Sequence, residues 1–235
     1  MNSVHTSDLA PHLTPLLAIG LYLNYPRALR LPPAPLRALG LVHNAALMCF
    51  SAWTFASLVH IARERGLVFR HGYYFADARF ELVMRLFYLS KYYEFGDTFL
   101  LYAQGKEPSF LQKFHHVGAV VVWHLNYVYR GDCLGIATIC NAFVHTIMYA
   151  YYLATLLRVP GARRAKQAIT SLQLVQLVVP NFACAYLYFP PAETDFHYRL
   201  ILVFNAYVFY LIYLFACFYW SSYLAAPVPA GNKDL

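Results

Sequence analysis

Long apolar stretches alternate with short polar links along most of the chain. Seven such stretches occupy residues 9–25, 36–61, 82–104, 110–129, 133–157, 169–189 and 200–224. Most of them reach the roughly 20 residues that a helix needs to cross a hydrocarbon core of about 30 Å. The pattern therefore predicts an all-α polytopic membrane protein with about seven transmembrane helices. The first stretch is the weakest because it contains Pro11 and Pro15.

The links between the apolar stretches are short and polar. The link at residues 105–109 is so short that its two neighbouring helices must form an antiparallel hairpin. No long soluble segment, internal repeat or low-complexity tract interrupts the pattern. We therefore expect one transmembrane domain over residues 1–235.

The positive charges in the links favour one orientation in the membrane. With the N-terminus outside, the cytoplasmic side receives Arg27, Arg30, Arg37, Lys106, Arg158, Arg163, Arg164, Lys166 and Lys233. The other side receives Arg63, Arg65, Arg70, Arg79, Arg130 and Arg199. The first four belong to the link at residues 63–81, which is an exception to the rule. The positive-inside rule supports this orientation modestly.

The composition is that of a membrane protein and suggests an internal cavity. Hydrophobic residues make up 60% of the 235 positions and charged residues 12%, against roughly 25% charged in soluble domains. The 21 tyrosines and 18 phenylalanines exceed what interface belts require, which predicts aromatic walls around a cavity. The net charge of +7 lies in the links, and no basic patch interleaved with aromatics indicates a nucleic-acid partner.

Charged residues interrupt the third apolar stretch at Lys91, Glu94 and Asp97. Each bare charge would cost about 2.5–3.5 kcal/mol or more at the bilayer centre. On a helix of about 100° per residue, Lys91 and Glu94 share a face with Thr98, and Asp97 lies about 60° beyond Glu94. Such a group is either an ion-pair clasp between helices or a contact for substrate, and both interpretations stay open here.

The next apolar stretch begins with Gln112, His115 and His116. Gln112 precedes the two histidines by three and four residues, so the three side chains can share one shoulder of a helix. The adjacent histidines point about 100° apart and can hardly address the same atom. Paired histidines beside an acidic helix face indicate a functional site.

A further polar face on the stretch at residues 133–157 contains Asn141, His145, Met148, Tyr149 and Tyr152. Asn141 and His145 are one helical turn apart, so we expect the amide to hold the tautomer and orientation of the imidazole. Met148 and the tyrosines are interpreted as cavity wall.

The stretch at residues 169–189 carries another polar face, through Thr170, Gln173 and Gln176. Hydrogen bonding between helices is an alternative role for these three residues. Polar faces on four apolar stretches together predict one site within the membrane.

These motifs, taken in order, resemble the signature motifs of the very-long-chain fatty acid elongases, the ELO family of condensing enzymes. The motifs read Lys91-x-x-Glu94-x-x-Asp97-Thr98, Gln112-x-x-His115-His116, Asn141-x-x-x-His145-x-x-Met148-Tyr149-x-Tyr151-Tyr152 and Thr170-x-x-Gln173-x-x-Gln176. Each motif alone is weak evidence, but four in the same order are specific.

The resemblance implies a reaction and a cellular setting. The family's acyltransferases, very-long-chain 3-oxoacyl-CoA synthases, condense a long-chain acyl-CoA with malonyl-CoA to give 3-oxoacyl-CoA, CoA and CO2. The resemblance further implies an acyl tunnel between the helices and residence in the endoplasmic reticulum membrane. No metal or cofactor is expected besides the two CoA substrates. Separate reductases and a dehydratase would complete the elongation cycle, and the oligomeric state is open.

One position departs from the family pattern. The family's box usually reads His-x-x-His-His, and its first position here is Gln112. This variant resembles some algal elongases that act on polyunsaturated C18 acyl chains. Because glutamine forms hydrogen bonds but does not exchange a proton near neutral pH, we expect Gln112 to orient other groups.

The resemblance also suggests roles, beginning with an acyl-imidazole intermediate. We expect His115 to carry the acyl group, His145 to polarise the thioester or the enolate, and His116 to assist. Asn141 and Gln173 would orient these groups, and Cys140 is a remote alternative acceptor. The residues expected to bind or contact substrate are Lys91, Glu94, Asp97, Gln112, Tyr149, Tyr152 and Gln173. Arg163, Arg164 and Lys166 either meet the CoA phosphates or only follow the positive-inside rule.

Two other functions are compatible with parts of the pattern. A membrane di-iron desaturase or hydroxylase also uses histidine boxes, but it needs more ligands than His115, His116, His124 and His145 supply. A seven-helix receptor of the retinal type would carry a lysine in its last span, and residues 200–224 contain none. Paired interrupted helices, the usual indication of a transporter, are not visible either.

Overall fold

The structure is a computed structural model that describes residues 6–25, 30–68, 70, 72–188 and 195–225. Over these residues the chain is helical and contains no strand. The helices are α1 (Thr6–Leu23), α2 (Pro33–Arg65), α3 (Ala78–Tyr93), α4 (Phe95–Ala103), α5 (Phe110–Val128), α6 (Leu134–Leu156), α7 (Lys166–Tyr188) and α8 (Asp195–Tyr219). A 3-10 turn, Ala162–Ala165, precedes α7, and a π-helical turn, Trp220–Leu224, follows α8.

Where the structure describes them, the predicted apolar stretches form helices, apart from residues at their ends and at Glu94. The helices differ in whether they are long and apolar enough to span a membrane. Three described segments are long and apolar enough to cross one, namely Pro33–Arg65, Leu134–Leu156 and Tyr198–Leu224. The shorter helix His12–Leu23 is also apolar. Length and composition therefore support three of the seven expected spans, because α5 and α7 carry polar residues of the candidate site and the stretch at residues 82–104 is divided into two helices.

That division occurs at Glu94, where the sequence predicted one continuous helix. Glu94 is the C-cap of α3 and also the N-cap of α4. Gly96 follows the break, and a Cβ atom built on it would lie 2.7 Å from Cε1 of His43 in α2. A glycine at this position therefore lets α2 approach α4 closely.

The helices pack as a bundle in which α2 lies along α6, α6 on α7, α7 on α8, and α5 against both α3 and α8. The main core contains the buried side chains Phe75, Phe80, Met84, Phe87, Leu134, Ile201 and Phe204. Beside it, Asp132 between α5 and α6 accepts hydrogen bonds from the backbone N–H groups of Tyr74 and Phe75, at 2.9 and 3.3 Å. Burial raises the pKa of Asp132 to about 6, against the lowering effect of these hydrogen bonds.

Several charged residues form contacts at the two ends of the bundle. At one end Arg30 donates to the backbone oxygen of Tyr102 at 2.9 Å, which joins the α1–α2 link to the α4–α5 hairpin. At the other end Arg79 pairs with Glu64, and Arg130 pairs with Glu81, each at 2.7 Å. Arg30 therefore lies at a different end from Arg79 and Arg130, which the orientation prediction assigned to the other side. Arg27 and Lys233 lie outside the described residues.

Candidate active site

A cavity of about 1180 Å³ lies between α2, α4, α5, α6 and α7. It is larger than the ~300–1,000 Å³ of most sites for drug-sized ligands. Its polar wall contains Glu94, Asp97, Gln112, His115, His116, Asn141, His145, Met148, Tyr149, Tyr152, Thr170, Gln173 and Gln176. All the site residues that the sequence predicted line this cavity, apart from Lys91.

Three histidines from two helices meet in the cavity. The ring centroid of His115 in α5 lies 5.5 Å from that of His116 and 6.5 Å from that of His145 in α6. The planes of the adjacent His115 and His116 rings differ by 83°. The Nδ1 atoms of His116 and His145 are buried and have no hydrogen-bond partner within the described part of the chain. Buried polar atoms of this kind usually have a partner, so these nitrogens are available to a bound molecule.

Lys91 lies behind the cavity wall instead of in it. Its side chain is 1% exposed, and its ammonium donates to Oε1 of Glu94 at 2.7 Å and to Oδ1 of Asn141 at 3.2 Å. These bonds join α3 to α6 and support the ion-pair interpretation for Lys91. Glu94 does line the cavity, so the lysine positions a carboxylate that a substrate can reach.

The expected hydrogen bond between Asn141 and His145 is absent, which corrects that prediction. Asn141 accepts from Lys91 and donates to Oε1 of Gln176 at 3.2 Å, so neighbouring helices use both ends of its amide. Nδ1 of His145 lies instead 3.8 Å from Oε1 of Glu94. Gln173 donates to the sulfur of Met148 at 3.1 Å and contributes wall on the α7 side.

Asp97 receives hydrogen bonds from two different helices. Nε2 of His43 in α2 lies 2.9 Å from its Oδ1, and the hydroxyl of Tyr149 in α6 donates to its Oδ2 at 2.8 Å. His43 was not among the site residues predicted from the sequence. Its signal was present, because an ionisable residue inside the apolar stretch at residues 36–61 is rare and usually functional.

Gln112 is held by its own hydrogen bonds at the start of α5. Ser109 caps the helix by accepting from the backbone N–H of Gln112 at 3.2 Å. The side-chain amide of Gln112 donates to the hydroxyl of Thr98 at 3.1 Å, and that hydroxyl is 2.9 Å from the hydroxyl of Tyr22 in α1. This geometry joins three helices and suits the orienting role expected of Gln112.

The outer part of the cavity is positively charged. Exposed cations from α2, the α4–α5 hairpin and the α6–α7 link line it, namely Arg37, Lys106, Arg158, Arg163 and Lys166. Arg164, which the sequence grouped with them, is not part of the lining. The carboxylates of Glu94 and Asp97 lie in the polar inner wall. The cavity can therefore attract an anionic group at its mouth while its histidines act further in.

Comparison with known proteins identifies the group to which these features belong. A family model described as ELO, GNS1/SUR4 family, matches residues 13–230. The chain belongs to the ELO family. The matched range contains every residue of the cavity described above. Together with the apolar helices, ELO membership makes this a membrane protein of fatty acid biosynthesis.

Individual ELO relatives are similar along most of the chain. Fatty acid elongase sre1 of Dictyostelium discoideum is 30% identical over 200 residues, which cover 80% of this chain and 73% of the relative. Very long chain fatty acid elongase 5 of Xenopus laevis is 31% identical over 207 residues, covering 81% and 67%. Very long chain fatty acid elongase 2 of Mus musculus is 28% identical over 227 residues, covering 92% and 75%.

Two further residues considered from the sequence lie apart from the site of this ELO protein. Cys140 precedes Asn141 in α6 but does not line the cavity. His124 in α5 is hydrogen-bonded at 2.9 Å to His12 in α1 and at 3.0 Å to the hydroxyl of Tyr88 in α3. The candidate reacting groups are therefore the three clustered histidines.

Proposed function

We propose that this protein is a condensing enzyme of fatty acid elongation. It joins a long-chain acyl-CoA to malonyl-CoA and forms 3-oxoacyl-CoA, CoA and CO2. The observation that carries the proposal is the meeting of His115, His116 and His145 inside one cavity whose mouth is lined by exposed cations. The relatives named as fatty acid elongases support the same class of reaction.

In the first half of the proposed reaction His115 accepts the acyl group. A ring nitrogen attacks the thioester carbonyl carbon, a C–N bond forms, and the C–S bond breaks. The CoA thiolate leaves with the electron pair and takes the proton that the imidazole loses. The acyl group is then an acyl-imidazole, and free CoA departs through the cation-lined mouth.

In the second half malonyl-CoA decarboxylates and attacks this intermediate. The electrons of the broken C–C bond form an enolate, whose carbon attacks the acyl carbonyl as CO2 departs. The new C–C bond forms while the C–N bond to His115 breaks, and the imidazole recovers one proton from solvent. His145, whose Nδ1 is buried and unpartnered, polarises the thioester or stabilises the enolate oxygen, with His116 assisting.

The lining of the cavity supports a placement for both parts of the substrate. Apolar side chains from α5, α7 and the C-terminal part of α8 offer a surface to the acyl chain, namely Leu111, Leu177, Phe215 and Phe218. The CoA phosphates would meet Arg37, Lys106, Arg158, Arg163 and Lys166 at the mouth. In this placement the thioester lies beside the histidines, and packing of the acyl chain keeps water from the reactive intermediates.

Several finer features complete the proposal. The enzyme is a very-long-chain 3-oxoacyl-CoA synthase of one domain, with seven membrane spans, an outside N-terminus and no cofactor besides its CoA substrates. It resides in the endoplasmic reticulum and works beside separate reductases and a dehydratase. Because of Gln112, we assign polyunsaturated C18 acyl chains as preferred substrates, by resemblance to the algal variants of the box.

The test measures CO2 released from labelled malonyl-CoA by membranes that contain the protein, with saturated and polyunsaturated acyl-CoAs. We expect acyl-dependent release and a 3-oxoacyl product. The variant His115→Ala should lose at least about 10²-fold of this rate. The matched control is His60→Ala, because the His60 side chain in α2 is 66% exposed and pairs with Glu64 of the same helix at 3.1 Å.

The outcomes separate the alternatives. Absence of release from folded wild-type protein with every acyl chain would contradict the condensing function. Release that persists in His115→Ala would reassign the acyl carrier to His116 or His145. An equal loss in His60→Ala would show that the assay reports damage to the fold instead of the chemistry.

A further inference from the structure

We propose that His43 is a positioning residue of the condensation site. It holds the carboxylate of Asp97, and through it the hydroxyl of Tyr149, in a fixed orientation at the cavity wall. This inference rests on the proposed function and adds a residue from α2, a helix that contributes none of the four polar motifs. His43 does not itself line the cavity, so it acts through the residues that do, above all Asp97.

The first observation is that the two carboxylate oxygens of Asp97 have different hydrogen-bond partners. Oδ1 of Asp97 is 2.9 Å from Nε2 of His43, while Oδ2 accepts the Tyr149 hydroxyl at 2.8 Å. The His43 side chain is 9% exposed and that of Asp97 is 20% exposed. Asp97 and Tyr149 both line the cavity, whereas His43 lies behind them. The carboxylate is therefore fixed from the buried side and presented to the open side.

The second observation is that the surrounding residues hold the imidazole in place. The ring of His43 stacks on Tyr93 with centroids 5.1 Å apart and meets Tyr149 edge-on at 6.4 Å. Gly96 leaves the space that the ring occupies, because a Cβ there would lie 2.7 Å from Cε1 of His43. The sequence thus provides an acceptor in Asp97, a stacking partner in Tyr93 and space at Gly96 for one imidazole.

The third observation connects this group to the reacting histidines. The ring of Tyr149, which Asp97 holds, lies edge-on to His145 with centroids 5.6 Å apart. A carboxylate with one free oxygen can rotate about its C–C bond and release the Tyr149 hydroxyl. Small displacements of groups around a reacting centre lower rates strongly. His43 therefore affects the chemical step more than the binding of CoA at the distant mouth.

Three variants test this inference in the CO2-release assay, with His60→Ala as the control on the same helix. His43→Ala removes the donor to Asp97. His43→Gln keeps an N–H donor near the position of Nε2. Gly96→Ala leaves His43 unchanged but displaces its ring. Thermal unfolding in detergent establishes which variants are folded.

We expect kcat to fall about 10-fold to 100-fold in His43→Ala and in Gly96→Ala, with KM for malonyl-CoA changed less than about threefold. His43→Gln should recover most of the wild-type kcat, which a purely space-filling role of His43 would not predict. If His43→Ala does not fold, the kcat values of His43→Gln and Gly96→Ala are compared with each other. A higher kcat in His43→Gln shows that the N–H donor to Asp97 is what the site needs.

A different set of outcomes overturns the inference. Wild-type kcat in His43→Ala and Gly96→Ala would show that Asp97 needs no support from α2. A His43→Gln variant as slow as Gly96→Ala would show that the donor is not what matters. An inactive wild-type protein would instead refute the condensing function, so the two failures are distinguishable.

Discussion

Lys91 shows how this protein holds a charge in its interior. The ammonium is 2.7 Å from Glu94 and 4.0 Å from the ring centroid of Phe87, and the side chain is 1% exposed. Desolvation of two buried ions offsets most of their attraction, so such a pair adds little net stability. Its value here lies in fixing Glu94, which lines the cavity 3.8 Å from Nδ1 of His145.

The pair predicts an asymmetry between single and double substitutions. Lys91→Met leaves Glu94 buried without its cation and should lower the free energy of unfolding by about 3–5 kcal/mol. Adding Glu94→Gln removes the uncompensated charge and should recover part of that loss. The measurement is equilibrium or thermal unfolding of the purified protein in detergent.

A second ion pair provides the control for this prediction. Lys113 lies 3.9 Å from Glu107, and both side chains are partly or largely exposed. Because exposed pairs contribute about 0–1 kcal/mol, Lys113→Met should change the stability only slightly. Equal losses in Lys91→Met and Lys113→Met would contradict the buried-pair account.

At this scale the sequence predicts which residues are involved better than it predicts their partners. The spacing placed Lys91 and Glu94 on one helix face, and of the two interpretations that it left open for Lys91 the structure supports the ion pair. The pairing of Asn141 with His145 failed although its spacing was also favourable. Gln176, from a helix that comes much later in the chain, takes the amide of Asn141 instead, and no local rule supplies such a contact.

Among the helices, the crossing of α5 and α8 bears most directly on the site. A Cβ built on Gly118 would lie 2.0 Å from the ring of Tyr207 in α8, so the two helices approach closely at this glycine. The hydroxyl of Tyr207 donates to the backbone oxygen of His115 at 3.1 Å. The α8 helix therefore supports His115 from behind.

This crossing predicts that a single methyl group disturbs both stability and activity. Gly118→Ala forces Tyr207 to move and should cost about 1–3 kcal/mol of stability, as overpacking does. It should also lower the rate of CO2 release, because the Tyr207 contact with His115 is displaced. Thermal unfolding and the CO2 assay measure the two effects.

Gly20 in α1 is the matched control, because a Cβ there meets no atom within 4 Å. Gly20→Ala should leave activity unchanged and raise stability by up to about 1 kcal/mol, since alanine favours a helix over glycine. A Gly118→Ala variant that behaves like Gly20→Ala would contradict the described crossing.

The positions of helices were predictable from apolar length, whereas their breaks and extensions were not. Pro33 at the start of α2 and Gly66 directly after its last residue bound a helix that is longer than the apolar stretch at residues 36–61. The break at Glu94 lies where His43 packs against Gly96. The sequence does not predict such a contact between separate helices, because its only local sign is the single glycine at position 96.

For the molecule as a whole, the separation of cations from carboxylates makes the electrostatic potential differ between the mouth and the inner wall of the cavity. Arg163 and Lys166 are exposed at its mouth, whereas Asp97 and Glu94 belong to its inner wall. An anionic substrate therefore meets a favourable potential before it reaches the histidines. Dissolved ions screen such a potential at an exposed mouth, so its contribution to binding falls as the salt concentration rises.

Neutralising the mouth should weaken binding without altering the chemistry. In Arg163→Ala/Lys166→Ala we expect KM for malonyl-CoA to rise about 3-fold to 30-fold at low salt, with kcat nearly constant. The difference from wild type should shrink as salt is raised. The measurement is the CO2 assay as a function of substrate and salt concentration.

Arg63, exposed in the last turn of α2 at the opposite end of the bundle, serves as the control. Arg63→Ala should leave KM unchanged at every salt concentration. If KM in the mouth double variant equals that of wild type, the mouth cations have no part in substrate binding and only follow the positive-inside rule.

The global features follow from the sequence to different degrees. Seven apolar stretches and four ordered motifs were sufficient for fold class and family, because both depend on patterns along one chain. The volume of the cavity and the exclusion of Lys91 from its wall depend on how separate helices pack. No motif spacing carries that information.

The position of Lys91 three residues before Glu94 also matters while the protein is being made. Asn141, the other partner of Lys91, is synthesised 50 residues later and lies on a different helix. A lysine that depended on that helix alone would stay uncompensated until α6 had been made. Because Glu94 lies one turn away, its carboxylate can compensate the charge of Lys91 before α6 is synthesised.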